Sequence, residues 1–181
     1  MKHAAAILFL LLSLLSGGTA EAQQRRSTQQ QTPLTAIVFL AVDCPISQKY
    51  TGELVQIDSI FDAMVNVQGI LPGNVKQEEV DQFKAEYNIT FPLIVDRDFL
   101  WVKKYSATTT PEVFLVDRQG SLHYQGAIDN WFFDLGKYRQ QITEHYLIDA
   151  IRAVLEGREP IISRTESVGC VIQQPSSKKI N

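Results

Sequence analysis

The sequence predicts an α/β fold in which a central mixed β-sheet is flanked by helices on both faces. Segments rich in apolar and β-branched residues alternate with segments whose apolar residues recur at helical spacing, in the order β-α-β-α-β-α-β-β-α. The first strands are joined through helices, which favours parallel pairing, whereas the last two strands are joined by a short turn and are expected to be antiparallel. Ligands of such sheets gather at the carboxyl ends of the strands.

The first half of the chain contains two predicted strand-helix units. The run AIVFLAV within Leu34–Val42 is apolar and β-branched, which is typical of a buried strand. Pro45–Met64 has apolar residues three and four positions apart, so it is predicted to be a helix. A second strand, Val65–Leu71, ends at a proline-glycine pair, and Asn74 is expected to cap a second helix that runs to about Tyr87.

The second half predicts a strand, a short helix, a β-hairpin and a last helix. The hairpin is indicated by the turn sequence DRQG between two apolar runs. These elements are expected at Phe91–Val95, Asp98–Tyr105, Glu112–Val116, Ser121–Ile128 and Glu144–Glu156.

The length and composition indicate one globular domain without a nucleic-acid or cofactor signature. The chain has 181 residues, a net charge of −3 and no Lys/Arg cluster longer than a pair. It contains three histidines and no glycine-rich phosphate loop, so neither a metal nor another cofactor is expected.

The two ends of the chain are expected to lie outside the domain. Residues 1–22 have the charged start, apolar run and Ala-Glu-Ala site of a secretory signal peptide, with an uncleaved membrane anchor as the alternative. Residues 23–33 and 173–181 are polar and are predicted to be a disordered tether and a disordered tail. We therefore expect an exported protein, periplasmic or extracellular, without stable membrane insertion after cleavage and in a compartment where disulfides persist.

Cys44 lies at the end of the first predicted strand and the start of the first predicted helix. If it caps that helix, Pro45 takes the first helical position, where a missing N–H costs nothing. The sulfur then faces the free N–H groups and the positive end of the helix dipole, which lowers the pKa of Cys44, whereas a close Asp43 would oppose this. We expect a partly exposed, reactive sulfur; the alternative is a small buried side chain without reactivity.

Four motifs resemble those of the redoxin branch of the thioredoxin superfamily, the alkyl hydroperoxide reductase/thiol-specific antioxidant-like proteins. They are DCPIS at Asp43–Ser47, TTTPEVFLVD at Thr108–Asp117, YQGAID at Tyr124–Asp129 and SVGCVI at Ser167–Ile172. The resemblance is to an exported, bacterial, peroxiredoxin-like group, and it covers residues 34–172, which we take as the redoxin domain.

This resemblance implies a thioredoxin-like fold and thiol redox chemistry at Cys44 without a bound cofactor. It also implies that the Thr110–Pro111 peptide is cis, that Pro111 lies against Cys44, and that the backbone of Thr110 is open to a substrate strand. An ordinary turn before a strand is the alternative. The hydroxyl of Ser47 could donate a hydrogen bond to the thiolate or satisfy N–H groups of the first helical turn.

The sequence departs from the patterns of related families at three positions. Ala41 stands where peroxiredoxins carry a threonine of the peroxide pocket, Ser47 where thioredoxins carry a second cysteine, and Val38 where thioredoxins bury an acid. Cys170 is the candidate resolving thiol, and Gly169 before it is expected to give the backbone conformational freedom. Cys44 and Cys170 could form a reversible disulfide, form a permanent structural disulfide, or remain separate thiols.

The predicted function is that of an exported thiol-disulfide oxidoreductase with Cys44 as nucleophile and Cys170 as resolving thiol. Its partner would be a thiol or disulfide protein or a small thiol, and no oligomeric state is predicted. One alternative is a thiol-dependent peroxidase that passes through a sulfenic acid at Cys44. Another is a binding module whose disulfide is structural and whose aromatic segment Trp131–Phe133 contacts a partner.

Overall fold

The computed structural model of the protein describes residues 34–174, so the predicted signal peptide, the tether and the tail from residue 175 lie outside the described part. The elements are, in order, β1 (Leu34–Phe39), α1 (Pro45–Ile60), β2 (Val65–Pro72), α2 (Gln77–Glu86), β3 (Leu93–Asp96), α3 (Leu100–Tyr105), β4 (Thr109–Thr110), β5 (Glu112–Asp117), β6 (Leu122–Gly126), β7 (Phe132–Asp134), β8 (Lys137–Tyr138), α4 (Tyr146–Leu155) and β9 (Cys170–Val171).

The central sheet has five strands in the order β3-β2-β1-β5-β6. β1 pairs in parallel with β2, and β2 pairs in parallel with β3. β5 pairs antiparallel with both β1 and β6. The predicted mixed sheet is thus confirmed, and β1 is its central strand, with its carboxyl end pointing to Cys44.

Helices cover both faces of this sheet, as predicted. On one face, α1, α2 and α4 contribute to a large apolar cluster; from α4 the buried residues are Leu147, Ala150 and Ile151. Their spacing of three and four positions places them on one side of that helix. On the other face, α3 contributes Val102 to a smaller cluster that also contains Phe39 and Phe114.

The second helix begins later than predicted, and Asn74 does not cap it. Lys76 is the N-cap residue of α2, and its backbone N–H donates a hydrogen bond to Glu79 Oε2 at 2.9 Å. A glutamate at the third helical position that bonds back to the cap is half of a capping box. The acidic first turn therefore decides where this helix begins, not the asparagine.

Four short strands were not predicted. β4 pairs antiparallel with β9, and β7 pairs antiparallel with β8, each pair forming a separate two-stranded sheet. The first of these small sheets joins the chain before β5 to the C-terminal segment, and it covers the end of α1 at which Cys44 lies.

Within residues 34–174, none of the helices combines the length and the apolar character needed to cross a membrane.

Candidate active site

Cys44 is the N-cap residue of α1, in extended backbone geometry, and Pro45 begins the helix. The carbonyl of Cys44 accepts the first helical hydrogen bond, from Gln48 N at 3.0 Å. No side chain caps this end of the helix. The backbone donors of the first turn are therefore directed toward the sulfur, which confirms the prediction that a helix begins beside it.

The sulfur of Cys44 contacts two groups that come from distant parts of the chain. Cys170 Sγ lies 2.6 Å from Cys44 Sγ, and both cysteines are free thiols in the structure. Thr110 O lies 3.1 Å from Cys44 Sγ and accepts its hydrogen bond when Cys44 is protonated. The two cysteines are 126 positions apart in sequence, so only the folded chain brings them together.

The Thr110–Pro111 peptide is cis, as the resemblance implied. Thr110 belongs to β4, where it pairs with Cys170 of β9. The pairing is extended by a hydrogen bond from Ile172 N to Thr108 O at 2.9 Å. The edge that was expected to be open to a substrate strand is therefore occupied by the C-terminal segment of the same chain.

Gly169 allows this close approach because it has no side chain. A Cβ built at Gly169 would lie 2.2 Å from Thr110 O, a distance that real Cβ atoms do not reach. The glycine before Cys170 therefore provides space at the backbone of Thr110, rather than the conformational freedom expected from the sequence.

The expectation that Cys44 is partly exposed is wrong. Its exposed fraction is 1%, whereas Cys170 is half-buried and Asp43 is exposed. The reason is the cover formed by β9, which places Cys170 directly on the sulfur. A partner that meets this form of the protein reaches Cys170 more readily than Cys44.

The two thiols have opposite pKa shifts. Burial raises the pKa of Cys44, but hydrogen bonds from the Cys170 thiol and from the backbone N–H and hydroxyl of Ser47 outweigh it, so the pKa is lowered. Burial, the hydrogen bond to Cys44 and the charges of Cys44 and Asp43 raise the pKa of Cys170 to about 12. The arrangement therefore favours a Cys44 thiolate that accepts a hydrogen bond from a Cys170 thiol.

Ser47 takes the first of the two roles that the sequence left open, the hydrogen bond to the sulfur, and the N–H that it satisfies belongs to the loop before α1 rather than to the first helical turn. Its side chain is fully buried, and its hydroxyl accepts a hydrogen bond from Ala41 N at 3.3 Å. The same hydroxyl donates toward the Cys44 sulfur and helps to lower the pKa of that thiol. Ser47 thus links the loop after β1 to the sulfur.

Glu112 supports β4 and was not found by the sequence analysis. Its side chain is buried, and Oε2 accepts the backbone N–H of Thr108 at 2.8 Å. Oε1 accepts a hydrogen bond from Gln125 Nε2 at 3.2 Å. A glutamate directly after Pro111 was the only signal in the sequence, and it gave no hint that the carboxylate bonds backward to the same loop.

A buried group of polar side chains lies further along α1. The Tyr50 hydroxyl donates to Asp129 Oδ1, which also accepts Trp131 N at 2.7 Å. Burial, a hydrogen bond to Asp129 and the charge of Asp129 raise the pKa of Glu53 to about 8. The raised pKa favours the protonated form of Glu53, and the hydrogen bond between Tyr50 and Asp129 ties α1 to the segment before β7.

The aromatic segment Trp131–Phe133 is divided between core and surface. Phe132 is 7% exposed and packs near Tyr50, with ring centroids 5.7 Å apart, whereas Phe133 is 52% exposed. Most of this cluster therefore belongs to the core.

Residues 34–174 contain no group of three or more His, Cys, Asp and Glu side chains that could hold a metal ion. His123 has a structural environment: its Nε2 lies 3.1 Å from Asp117 Oδ2 in the β5–β6 hairpin.

Comparison with known proteins identifies relatives of the whole fold. The model of the AhpC/TSA family matches residues 11–125, which include Cys44, Ser47, Thr110 and Pro111 but not Cys170. No curated protein gives a significant match. A hypothetical protein from Sinorhizobium meliloti is 25% identical, with a TM-score of 0.71 over 81% of this chain and 82% of its own. An uncharacterized conserved protein from Geobacillus kaustophilus is 24% identical, with a TM-score of 0.70 over 82% and 80%.

A partial likeness extends to a secreted disulfide oxidoreductase from Mycobacterium tuberculosis. It is 20% identical and covers 51% of this chain and 68% of that protein, with a TM-score of 0.46.

Proposed function

Since the chain belongs to the AhpC/TSA family and has a thioredoxin-like fold, we propose that it is an exported thiol-disulfide oxidoreductase with Cys44 as nucleophile and Cys170 as resolving thiol. The observation that carries this proposal is the 2.6 Å contact between Cys44 Sγ and Cys170 Sγ at the start of α1. The low pKa of Cys44 supports its role as nucleophile, because the thiolate is the form that attacks disulfides.

The proposed reaction consists of two exchanges between sulfurs. The Cys44 thiolate attacks one sulfur of a substrate disulfide, that S–S bond breaks, and the other substrate sulfur leaves as a thiolate that takes up a proton. Cys170 then loses its proton and attacks Cys44 Sγ, which releases the second substrate thiol. The substrate gains two electrons, and the protein retains a Cys44–Cys170 disulfide.

The low pKa of Cys44 also supports the return reaction. A reducing thiol that attacks Cys170 Sγ displaces Cys44, and a low-pKa thiolate leaves faster. The half-buried position of Cys170 gives this attack its access. We expect the reductant to be a thiol protein or a small thiol.

A role as a hydroperoxide reductase has less support. The expected threonine of a peroxide pocket is Ala41. The cover of Cys170 and Thr110 over the Cys44 sulfur does not separate the two reactions, because it must open for a substrate disulfide as well as for a hydroperoxide.

Mass spectrometry of the protein recovered from producing cells without reductant tests the proposal. We expect a mature chain that begins near Gln23 and carries a Cys44–Cys170 disulfide that exchanges with glutathione. Cys170→Ser should trap mixed disulfides on Cys44, and Cys44→Ser should reduce disulfide reductase activity to background.

Other outcomes would assign another function. A disulfide that stays oxidised in glutathione, with no trapped partners, would indicate a structural bridge in a binding module. Fast consumption of hydrogen peroxide that Cys44→Ser abolishes would indicate a peroxidase. An uncut N-terminus would contradict a cleaved signal peptide at residues 1–22 and would favour the uncleaved membrane anchor.

A further inference from the structure

Cys170 reaches Cys44 at the end of a long irregular segment that follows α4. This segment contains one short pairing with the main sheet: Gln125 of β6 donates its N–H to Ser163 O and accepts the N–H of Thr165, both at 3.0 Å. Beyond Thr165 the chain runs through four residues before it reaches Cys170. Thr165 is therefore the last firm attachment before the thiol.

The side chain of Thr165 is fixed by a complete set of hydrogen bonds. Its Oγ1 accepts Ala127 N at 2.9 Å and lies 2.6 Å from the hydroxyl of Tyr124. The Tyr124 hydroxyl donates its one proton to Ala127 O at 2.6 Å. Burial raises the pKa of Tyr124, so the phenol keeps that proton and Thr165 must donate to it. The Thr165 hydroxyl thus donates to the Tyr124 hydroxyl, which in turn donates to the backbone carbonyl of Ala127.

The backbone of β6 is shaped to receive Thr165. Gly126 has φ = 138°, and a Cβ built there would lie 2.3 Å from Thr165 Oγ1 and 2.4 Å from Thr165 O. Only glycine provides both this backbone geometry and this space. The YQGAID motif therefore contains the tyrosine, the glycine and the backbone N–H that bind Thr165.

Between Thr165 and β9 the segment packs on the core through Val168. On its other side it borders a polar cavity of about 600 Å³ that is lined in part by Thr109, Glu112 and Ser167. Thr109 Oγ1 and Ser167 Oγ are buried there without a hydrogen-bond partner among the described residues. The position of Cys170 therefore depends on β9, on the packing of Val168 and on the hydrogen bonds of Thr165.

We propose that Thr165 is a positioning residue that holds Cys170 against Cys44 and so sets how readily the two cysteines form their disulfide. This rests on the proposed function, in which that disulfide forms and breaks. With Thr165 fixed, Cys170 lies on a tether of five residues; if the segment were free back to Leu155 at the end of α4, the tether would have 15. Effective concentration falls with about the −3/2 power of tether length, which gives about a fivefold loss.

Thr165→Val tests this inference, because valine keeps the shape and removes the hydroxyl. The quantity measured is the equilibrium constant for oxidation of the Cys44–Cys170 pair in glutathione redox buffers. Since the backbone bonds of Thr165 remain, we expect this constant to fall by less than the full fivefold, about twofold. Thr165→Ser, which keeps the hydroxyl, should restore it.

Matched variants separate positioning from general destabilisation. Thr90→Val removes an exposed hydroxyl that bonds Asp58 at 2.8 Å far along the chain, and it should leave the constant unchanged. Tyr124→Phe removes the group to which Thr165 donates and should lower the oxidation constant as Thr165→Val does. The inference can therefore be tested with either variant if the other folds poorly.

The outcomes distinguish this inference from the proposed function. If the unsubstituted protein forms no exchangeable Cys44–Cys170 disulfide, the proposed function fails. If it does, and Thr165→Val and Tyr124→Phe both leave the constant unchanged, the positioning role of Thr165 is overturned and the proposed function stands.

Discussion

At the scale of single residues, the site separates two tasks that a Cys-x-x-Cys motif gives to neighbouring thiols. Ser47 stabilises the Cys44 thiolate from the first turn of α1 but has no sulfur with which to resolve a mixed disulfide. Cys170 supplies that sulfur from β9. Tuning of the nucleophile can therefore be changed at Ser47 without removing the resolving thiol, whereas a substitution of Cys170 alters both, because the Cys170 thiol also lowers the pKa of Cys44.

Ser47→Ala should raise the pKa of Cys44 toward its ordinary value. The substitution removes one hydrogen bond to the thiolate, which is worth about 1 kcal/mol. At a pH below the pKa of Cys44 the thiolate fraction should therefore fall about fivefold. The backbone N–H of Ser47 and the Cys170 thiol remain. An ultraviolet titration of the thiolate in the reduced protein measures the midpoint, because the second thiol ionises at much higher pH.

The same substitution has a defined effect on stability. The folded pKa of Cys44 is lowered, so its ionisation stabilises the reduced protein above the unfolded pKa, and this stability is lost as the pH falls through the folded pKa. Ser47→Ala should reduce that contribution at alkaline pH. Ser59→Ala, at an exposed position of the same helix, is the control and should change neither the pKa of Cys44 nor the stability at alkaline pH. If Ser47→Ala leaves the pKa of Cys44 unchanged, the other hydrogen-bond donors account for its lowering.

At the scale of elements, the long helices and sheet strands were predictable, whereas the strands that complete the site were not. α1 has apolar residues at helical spacing over 16 residues, which indicate its type and its buried face, and β5 is a continuous apolar run, which is typical of a strand buried on both faces. β4 and β9 have two residues each, too few for any periodicity, and they exist only because the folded chain brings them side by side.

The burial of Cys44 was unpredictable for the same reason. The position of Cys44 at a strand end before a proline indicated the helix start correctly. Its cover comes from a segment far along the chain, and nothing local to Cys44 signals it. Thr165 was missed as well, since a lone threonine in a polar stretch carries no pattern, although its binding partners lie in a motif that was recognised.

Gly169→Ala should loosen β9 and expose Cys44. The new methyl group would overlap the carbonyl of Thr110, and overpacking of this kind costs about 1–3 kcal/mol, which corresponds to about a 5- to 150-fold larger population of the opened strand. We expect the reduced protein to react faster with a bulky alkylating reagent at Cys44, identified by peptide mass spectrometry.

Gly52→Ala is the matched control for this prediction. A Cβ at Gly52 meets no atom within 4 Å, so the substitution removes a glycine without steric overlap. It should leave the alkylation rate unchanged. If Gly169→Ala also leaves that rate unchanged, β9 is not what shields the sulfur.

At the scale of the whole molecule, the cysteine pair closes most of the domain into one loop. Cross-linking residues 126 positions apart would stabilise the fold by about 5 kcal/mol if restriction of the unfolded chain acted alone. The low pKa of Cys44 stabilises the reduced native form and so reduces this gain. We expect oxidation to raise the free energy of unfolding by clearly less than that value.

Denaturant unfolding of the oxidised and fully reduced proteins at the same pH measures this difference. The Cys44→Ser/Cys170→Ser double variant, which has neither thiolate nor disulfide, provides the reference for the reduced form. A difference equal to the full loop-closure value would characterise a structural disulfide and would contradict a pair that exchanges readily.

The large separation between the two cysteines also has a consequence for biosynthesis. Ribosomes add about 5–20 residues per second, so Cys44 is made roughly 6 to 25 s before Cys170. During that interval the nascent chain contains a single cysteine without its intramolecular partner, and any oxidant or foreign disulfide it meets can cap it. Because the two cysteines are far apart in sequence, their pairing requires the complete fold. For the same reason the nascent chain needs a reducing environment until Cys170 has been made.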